Sequence, residues 1–109
     1  MKDTLTLDEQ TVLCARQGQL STRVGSETAI LHCAKGLYFG VNATGTRVWA
    51  LLQRPIRVGE LLDHLLNEFD VDAERCRHDL MGFLQHLLRS DLVEVRVASL
   101  DPPEPSVER

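Results

Sequence analysis

At 109 residues the chain has the length of one domain, with room for a single modest core. Hydrophobic residues make up 43% and charged residues 26%, as in an ordinary soluble globular protein, and a formal net charge of -4 argues against a molecule built to lie along a phosphate backbone. No apolar run reaches the length of a membrane span and the start, Met1-Lys2-Asp3-Thr4, lacks a signal-peptide pattern, so a cytoplasmic protein with neither membrane nor nucleic-acid partners is expected.

Residues 1–17 are mixed, and Thr11-Val12-Leu13-Cys14-Ala15 reads either as an extended lead-in or as a short helical turn. Leu20, Thr22 and Val24 alternate with Ser21 and Arg23, a strand pattern ended by Gly25-Ser26. Glu27 to Cys33 resumes it, with Ala29, Leu31 and Cys33 on one side and Thr28, Ile30 and His32 on the other. The two runs are close enough for a hairpin. After the turn Ala34-Lys35-Gly36, Leu37 to Val41 forms a third strand, with Leu37, Phe39 and Val41 on one face and Tyr38 and Gly40 on the other.

Asn42 or Thr44 can then cap a helix whose inner face carries Val48, Trp49 and Leu52, and Pro55 stops it. A second helix shows the clearest periodicity: Val58, Leu61, Leu62, Leu65, Leu66 and Phe69. Asp72 caps a third, with Cys76, Leu80, Phe83, Leu84, Leu87 and Leu88 on one stripe, ending at Arg89-Ser90-Asp91. Val93, Val95 and Val97 alternate as a closing strand, and the proline-rich tail from residue 98 is too polar to pack and is expected to be disordered. The fold class expected is α+β: a winged helix-turn-helix with an N-terminal three-stranded antiparallel sheet and three helices. The expected core is Leu31, Phe39, Trp49, Leu62, Leu65, Phe69, Leu84 and Leu87.

Four functions compete for this outline. Duplex DNA binding would use the third helix, but Arg75, Arg77 and Arg89 are balanced there by Asp72, Glu74 and Asp79, and phosphate contacts dominate DNA affinity. A metal site would draw on His32, Cys33, His64, Cys76, His78 and His86, yet no Cys-x-x-Cys or His-x-x-x-His spacing occurs. Cys14, Cys33 and Cys76 read as small core residues rather than a disulfide framework. Catalysis needs a nucleophile, a base and an orienting group in recognisable order, and neither that nor a Gly-rich phosphate loop is present; no cofactor is expected. Peptide binding has positive support. Leu37-Tyr38-Phe39-Gly40-Val41 carries no Pro and no charge, and an unprotected edge invites an extended peptide as a further strand. The plain alternative makes Tyr38 and Phe39 ordinary surface and core aromatics.

The chain resembles one known family. "GLYFGVNATGTRVWALLQRP" and "VGELLDHLLNEFDVDAERCRHDLMGFLQHLLRSDLVEV" are similar to the pyrroloquinoline-quinone biosynthesis protein D family (PqqD-like), also called the RiPP recognition element, for ribosomally made, modified peptides. The likeness spans about residues 18–97, between an N-terminal extension (1–17) and the tail (98–109). It rests on Gly36-x-Tyr38-Phe39-x-x-Asn42-x-x-Gly45-x-x-x-Trp49, on Glu68-Phe69-Asp70-Val71-Asp72 and on Leu92-Val93-Glu94-Val95. The resemblance implies a non-enzymatic protein that binds the leader segment of a precursor peptide and presents it to a modifying enzyme such as a radical maturase, protease or cyclase. It implies backbone pairing by Leu37, Tyr38, Phe39, Gly40 and Val41, and a groove lined by Cys76, Asp79, Leu80 and Phe83, of which Leu80 and Phe83 serve equally well as core. The alternative is a winged-helix DNA-binding or protein-interaction module. An unprotected edge can also pair with its counterpart in a second copy, so a homodimer is among the expectations.

The charge balance of the third helix generates a first prediction. Duplex DNA at physiological salt is expected to show no polarisation shift at low micromolar protein. A salt-dependent shift at that concentration would restore the DNA-binding reading.

Overall fold

The computed structural model describes residues 7–96. Residues 1–6 of the N-terminal extension, Val97 of the expected closing strand and the proline-rich tail lie outside the described residues.

The elements follow in the order β1 (Val12–Ala15), β2 (Gln19–Val24), β3 (Glu27–His32), β4 (Leu37–Val41), α1 (Ala43–Leu51), β5 (Ile56–Arg57), α2 (Val58–Glu68), α3 (Ala73–Arg89) and β6 (Val93–Arg96). The fold is mixed α+β with three helices, as expected, but its strands form two small antiparallel sheets. One has the order β2-β3-β4 and the other β5-β1-β6. The expectation of a single N-terminal sheet is corrected here. β1, left open between strand and turn, lies at the centre of the second sheet, with Leu13 opposite Ile56 on one side and Val95 on the other. Alternation within Val93–Val97 identifies a strand but not its partner, and the partner is the N-terminal segment rather than the sheet of β2 to β4.

Local chemistry sets the element boundaries. Gly25, at φ +66, takes the first position of the two-residue loop between β2 and β3, where a tight hairpin needs a positive φ. Asn42, not Thr44, caps α1: its Oδ1 accepts the Gly45 N–H at 2.8 Å. Asp72 caps α3 by accepting the Arg75 N–H at 2.9 Å. At the far end of α3, Asp91 occupies the left-handed region at φ 65, and the N–H groups of Asp91 and Leu92 donate to the carbonyls of Leu88 and Leu87. That is a Schellman termination, with aspartate in the position glycine usually fills.

One core runs between the helices and both sheets. Leu13, Ile30, Leu52, Leu61, Leu84, Leu87 and Leu92 have no exposed surface, and Val48, Val58 and Leu65 are nearly as buried. Trp49, Leu62, Leu65, Leu84 and Leu87 of the expected core are buried, whereas Phe39 and Phe69 are half-buried and pack against its margin. Leu31 is corrected: β3 turns Thr28, Ile30 and His32 inward and leaves Leu31 on the outer face. Strand alternation separates two faces without saying which one the helices cover. The two inward polar groups are satisfied, since the Thr46 hydroxyl donates to that of Thr28 at 2.9 Å and His32 is bonded at both ring nitrogens.

His32 also holds the sheet of β2 to β4 to the end of α3. Its Nδ1 accepts the Lys35 N–H at 3.2 Å, which leaves the proton on Nε2 for Asp91 Oδ2, also at 3.2 Å. Arg16, just past β1, reaches the other oxygen of Asp91 at 3.4 Å. The hydrogen bond from His32, with the charge of Arg16 behind it, holds the Asp91 carboxyl below the usual aspartate range despite opposing desolvation. Arg47 of α1 makes a two-point contact with Glu68 of α2, both bonds 2.7 Å, and holds that carboxyl low as well.

Two predictions follow from this architecture. Leu13→Ala is expected to destabilise the protein by about 2–5 kcal/mol in urea unfolding, because β1 is part of the core rather than a dispensable lead-in. Asp91→Asn keeps a residue tolerant of the left-handed region and removes the charge, together with one of the two acceptor oxygens. A carboxyl whose pKa is depressed on folding stabilises above its unfolded value and loses that contribution as pH falls through the folded one. The wild-type protein is therefore expected to unfold at higher urea than Asp91→Asn at neutral pH, with the gap closing below about pH 3.9. A gap of constant size would show that the charge is not its source.

Candidate functional site

Strand β4 pairs with β3 on one side, and among the described residues no strand pairs with its other side. The ladder fixes which backbone groups are free. The two-residue loop makes Val24↔Glu27 a hydrogen-bonded pair, so bonded pairs recur at Thr22↔Ala29 and Leu20↔Leu31. Thr28, Ile30 and His32 therefore direct their N–H and C=O groups toward β4, where they face Val41, Phe39 and Leu37. The His32 carbonyl, which accepts the Gly36 N–H at 2.8 Å, lies on that side too. What remains for the open edge is the N–H and C=O of Tyr38 and Gly40.

The side chains obey the opposite parity. Phe39 and Val41 point inward toward the helices, half-buried and buried respectively, while Tyr38 is 75% exposed on the outer face. A groove follows the inner side of the edge, between β4 and α3, in two compartments. One, of about 460 Å³, is lined by Tyr38, Phe39, Gly40, Val41, Asn42, Phe83, His86 and Leu87. The other, of about 500 Å³, is enclosed by Asn42, Thr44, Gly45 and Val48 of the first turns of α1, by Leu65, and by Val71, Asp72, Arg75, Cys76, Asp79, Leu80 and Phe83. Asn42 and Phe83 belong to both, so the Phe83 ring stands between them.

Gly45 makes the arrangement compact. A Cβ there would lie 3.1 Å from the Val41 Cβ and 3.2 Å from the Phe83 ring, tighter than ordinary packing. α1 can approach β4 and α3 this closely because position 45 has no side chain. Phe39 meets the His86 ring edge-on at 6.4 Å between centroids, which closes the other end of the groove.

The ion pair that borders the larger compartment is exposed. Arg75 and Asp79 lie 3.9 Å apart, 82% and 67% exposed, a pair that water screens heavily. The Cys76 thiol faces the larger compartment, and its pKa is raised by partial burial and then by the Asp79 charge. That favours the neutral, weakly nucleophilic form. Among the described residues no three His, Cys, Asp or Glu side chains converge on a metal-sized site, and no helix is long and apolar enough to cross a membrane.

Eight of the nine residues singled out for peptide binding in the sequence border this groove. Tyr38, Phe39, Gly40 and Val41 border one compartment, and Cys76, Asp79, Leu80 and Phe83 border the other. Leu37, at the start of β4, is 51% exposed and lines neither. Leu80 is buried at the groove floor and Phe83 is half-buried, so both are core and lining at once. Sequence reasoning missed His86, Asn42 and Gly45. His86 lies three residues beyond Phe83 on the same helical face, a spacing that would have found it.

Residues 27–93 match the family described as coenzyme PQQ synthesis protein D (PqqD). No curated protein sequence matches the chain. Among solved structures, TbiB1 in complex with the TbiA(beta) leader peptide superposes with a TM-score of 0.69 at 33% identity, over 74% of this chain and 94% of that one. With more than half its length matched from β3 to the start of β6, the chain belongs to the PqqD family, whose members include RiPP recognition elements.

Proposed function

We propose that this protein binds the leader segment of a precursor peptide as an added strand on β4 and presents it to a modifying enzyme. The observation that carries the proposal is the coincidence of an unprotected backbone edge at Tyr38 and Gly40 with a groove beside it whose lining includes Phe39, Val41, Phe83 and Leu87. The leader peptide held by the related TbiB1 supports the choice of ligand. In this role α1 to α3 and β6 act as a winged helix-turn-helix scaffold without its DNA function, and the chain is a binding module rather than a catalyst.

An antiparallel leader strand would exchange N–H and C=O groups with Tyr38 and Gly40. The leader residue opposite Phe39 would then point the same way as Phe39, toward α3, into the compartment bordered by His86 and Leu87. The residue two positions on would face Val41 and the larger compartment across the Phe83 ring. Two apolar leader side chains at i and i+2 therefore suit the groove. The same edge can accept β4 of a second copy when no leader is present, which makes a homodimer a competitor of binding.

Three substitutions separate backbone pairing from side-chain packing. Gly40→Pro removes an N–H that points to the open edge and leaves the β3 ladder intact. It is expected to weaken binding of the co-encoded leader at least about tenfold, the loss of roughly 1.4 kcal/mol or more. Gly40→Ala keeps the N–H, and nothing lies within 4 Å of the added Cβ, so its affinity should stay near wild type. Phe83→Asp sets a charge between the two apolar compartments and should also weaken binding. Fluorescence polarisation on variants checked for folding by circular dichroism measures all three. Tight binding that survives in a folded Gly40→Pro protein would move the site away from this edge.

A further inference from the structure

The alternation that frees Tyr38 and Gly40 continues one residue past β4. Val41 faces Thr28 and turns its carbonyl toward β3. The Asn42 N–H lies on the other side of that trans peptide, so it points to the open edge as a third donor beyond Tyr38 and Gly40. Nothing among the described residues accepts it. The Asn42 carbonyl is not free in return, since it accepts the Thr46 N–H at 2.7 Å. The side chain is divided in the same way. Its Oδ1 caps α1 by accepting the Gly45 N–H, and no described residue takes a hydrogen bond from its Nδ2. Both acceptors of this residue are thus engaged with α1, and its donors are left over. Serine and aspartate cap a helix as well as asparagine does, but only asparagine caps through one atom and keeps a separate amide nitrogen to donate elsewhere.

We propose that Asn42 is a leader-binding residue as well as the cap of α1, with its main-chain N–H and its side-chain amide donating to main-chain carbonyls of the leader where the added strand ends. The inference rests on the leader-binding reading above and adds to it a residue outside β4. An antiparallel strand paired with Tyr38 and Gly40 brings one more leader carbonyl within reach of the Asn42 N–H, that of the residue two positions N-terminal to the partner of Gly40. The N–H of that same leader residue meets a carbonyl already held by Thr46, so regular pairing stops there. The leader then leaves the edge at the point where Asn42 borders both compartments, and the Nδ2 donors are placed for a carbonyl of the departing chain. Pairing is thereby limited to the leader residues that face positions 38–42.

The test uses the full chain and the co-encoded leader peptide, labelled at its C-terminal end for fluorescence polarisation and shortened one residue at a time from its N-terminus. The proteins are wild type, Asn42→Asp and Asn42→Ser, with urea unfolding run on each. Both substitutions keep a cap of equal strength and the main-chain N–H, so the unfolding midpoints are expected to match wild type. The full leader is expected to bind Asn42→Asp about fivefold more weakly or worse, because an oxygen replaces the amide donor, and to bind the uncharged Asn42→Ser more weakly as well. In wild type the truncation step that removes the leader residue facing Asn42 is expected to cost affinity sharply, and in both variants that step is expected to be about threefold smaller. Each step is a ratio within one protein, so it decides the matter even where a variant unfolds earlier. A loss below about fivefold in Asn42→Asp, a loss confined to that charged variant, or truncation steps of equal size in all three proteins overturns the inference while leaving leader recognition in place. Asn42 is then a cap whose donors bind water. Failure of wild type to bind the leader instead overturns the function on which the inference stands.

Discussion

The passage from strand to helix at Val41-Asn42-Ala43 is the constraint on which the rest of this molecule depends. A single residue separates β4 from α1, and that residue is the helix cap, its side chain bonded to the Gly45 N–H at 2.8 Å. Such a short joint leaves no slack, so α1 must lie close against the inner face of the sheet. Gly45 accommodates this, because any side chain there would press on Val41 and Phe83. Once α1 is seated, α3 can pack beside it while β4 stays at the margin of its sheet. The open edge and the groove are therefore two consequences of one tight junction rather than separate features.

At the other end of β4 the junction has a counterpart. His32 bonds Asp91, and Asp91 ends α3 in a left-handed conformation while also meeting Arg16. The hairpin of β3 and β4 is thus tied to α1 at one end and to the terminus of α3 at the other. Both ties are polar and directional, which matters more for register than for net stability. Backbone hydrogen bonds to a bound strand are indifferent to its sequence, and each is worth only about 0.5–1.5 kcal/mol net. For the proposed added strand, selectivity would have to come from side chains entering the two compartments, which discriminate only if the walls stay in place.

How much of this was legible in the sequence depends on the length of the signal. α2 and α3 are long and strongly periodic, so both stripes were readable from the leucine spacing and the α3 cap from Asp72, whereas the Arg57 cap of α2 carried no such signal. β4 was readable because Phe39 and Val41 alternate with Tyr38 and Gly40 in a run free of charge. β1 was not, since four residues offer no more evidence for a strand than for a turn, and the partners of Leu13, Ile56 and Val95, lie 43 and 82 residues away. The inner face of β3 was misread because Thr28 and His32 look polar, and their tertiary partners Thr46 and Asp91 are not local. The site was half legible: the resemblance supplied Cys76, Asp79, Leu80 and Phe83, while Asn42 and Gly45 resembled ordinary turn chemistry. Their second role appears only when α3 is set against them.

The charge distribution explains why a scaffold of this outline need not be a DNA reader. In that role α3 would present an excess of cations to phosphate. Here its apolar stripe is divided between the core, through Leu80, Leu84 and Leu87, and the groove, through Cys76 and Phe83. Two of its three arginines lie beside acids: Arg77 meets Glu9 at 2.9 Å, and Arg75 lies 3.9 Å from Asp79 at the groove rim. A helix whose positive charges are matched locally has little long-range field with which to attract a polyanion. What it offers instead is an apolar wall opposite a strand edge, the combination on which the proposed binding of an extended peptide rests.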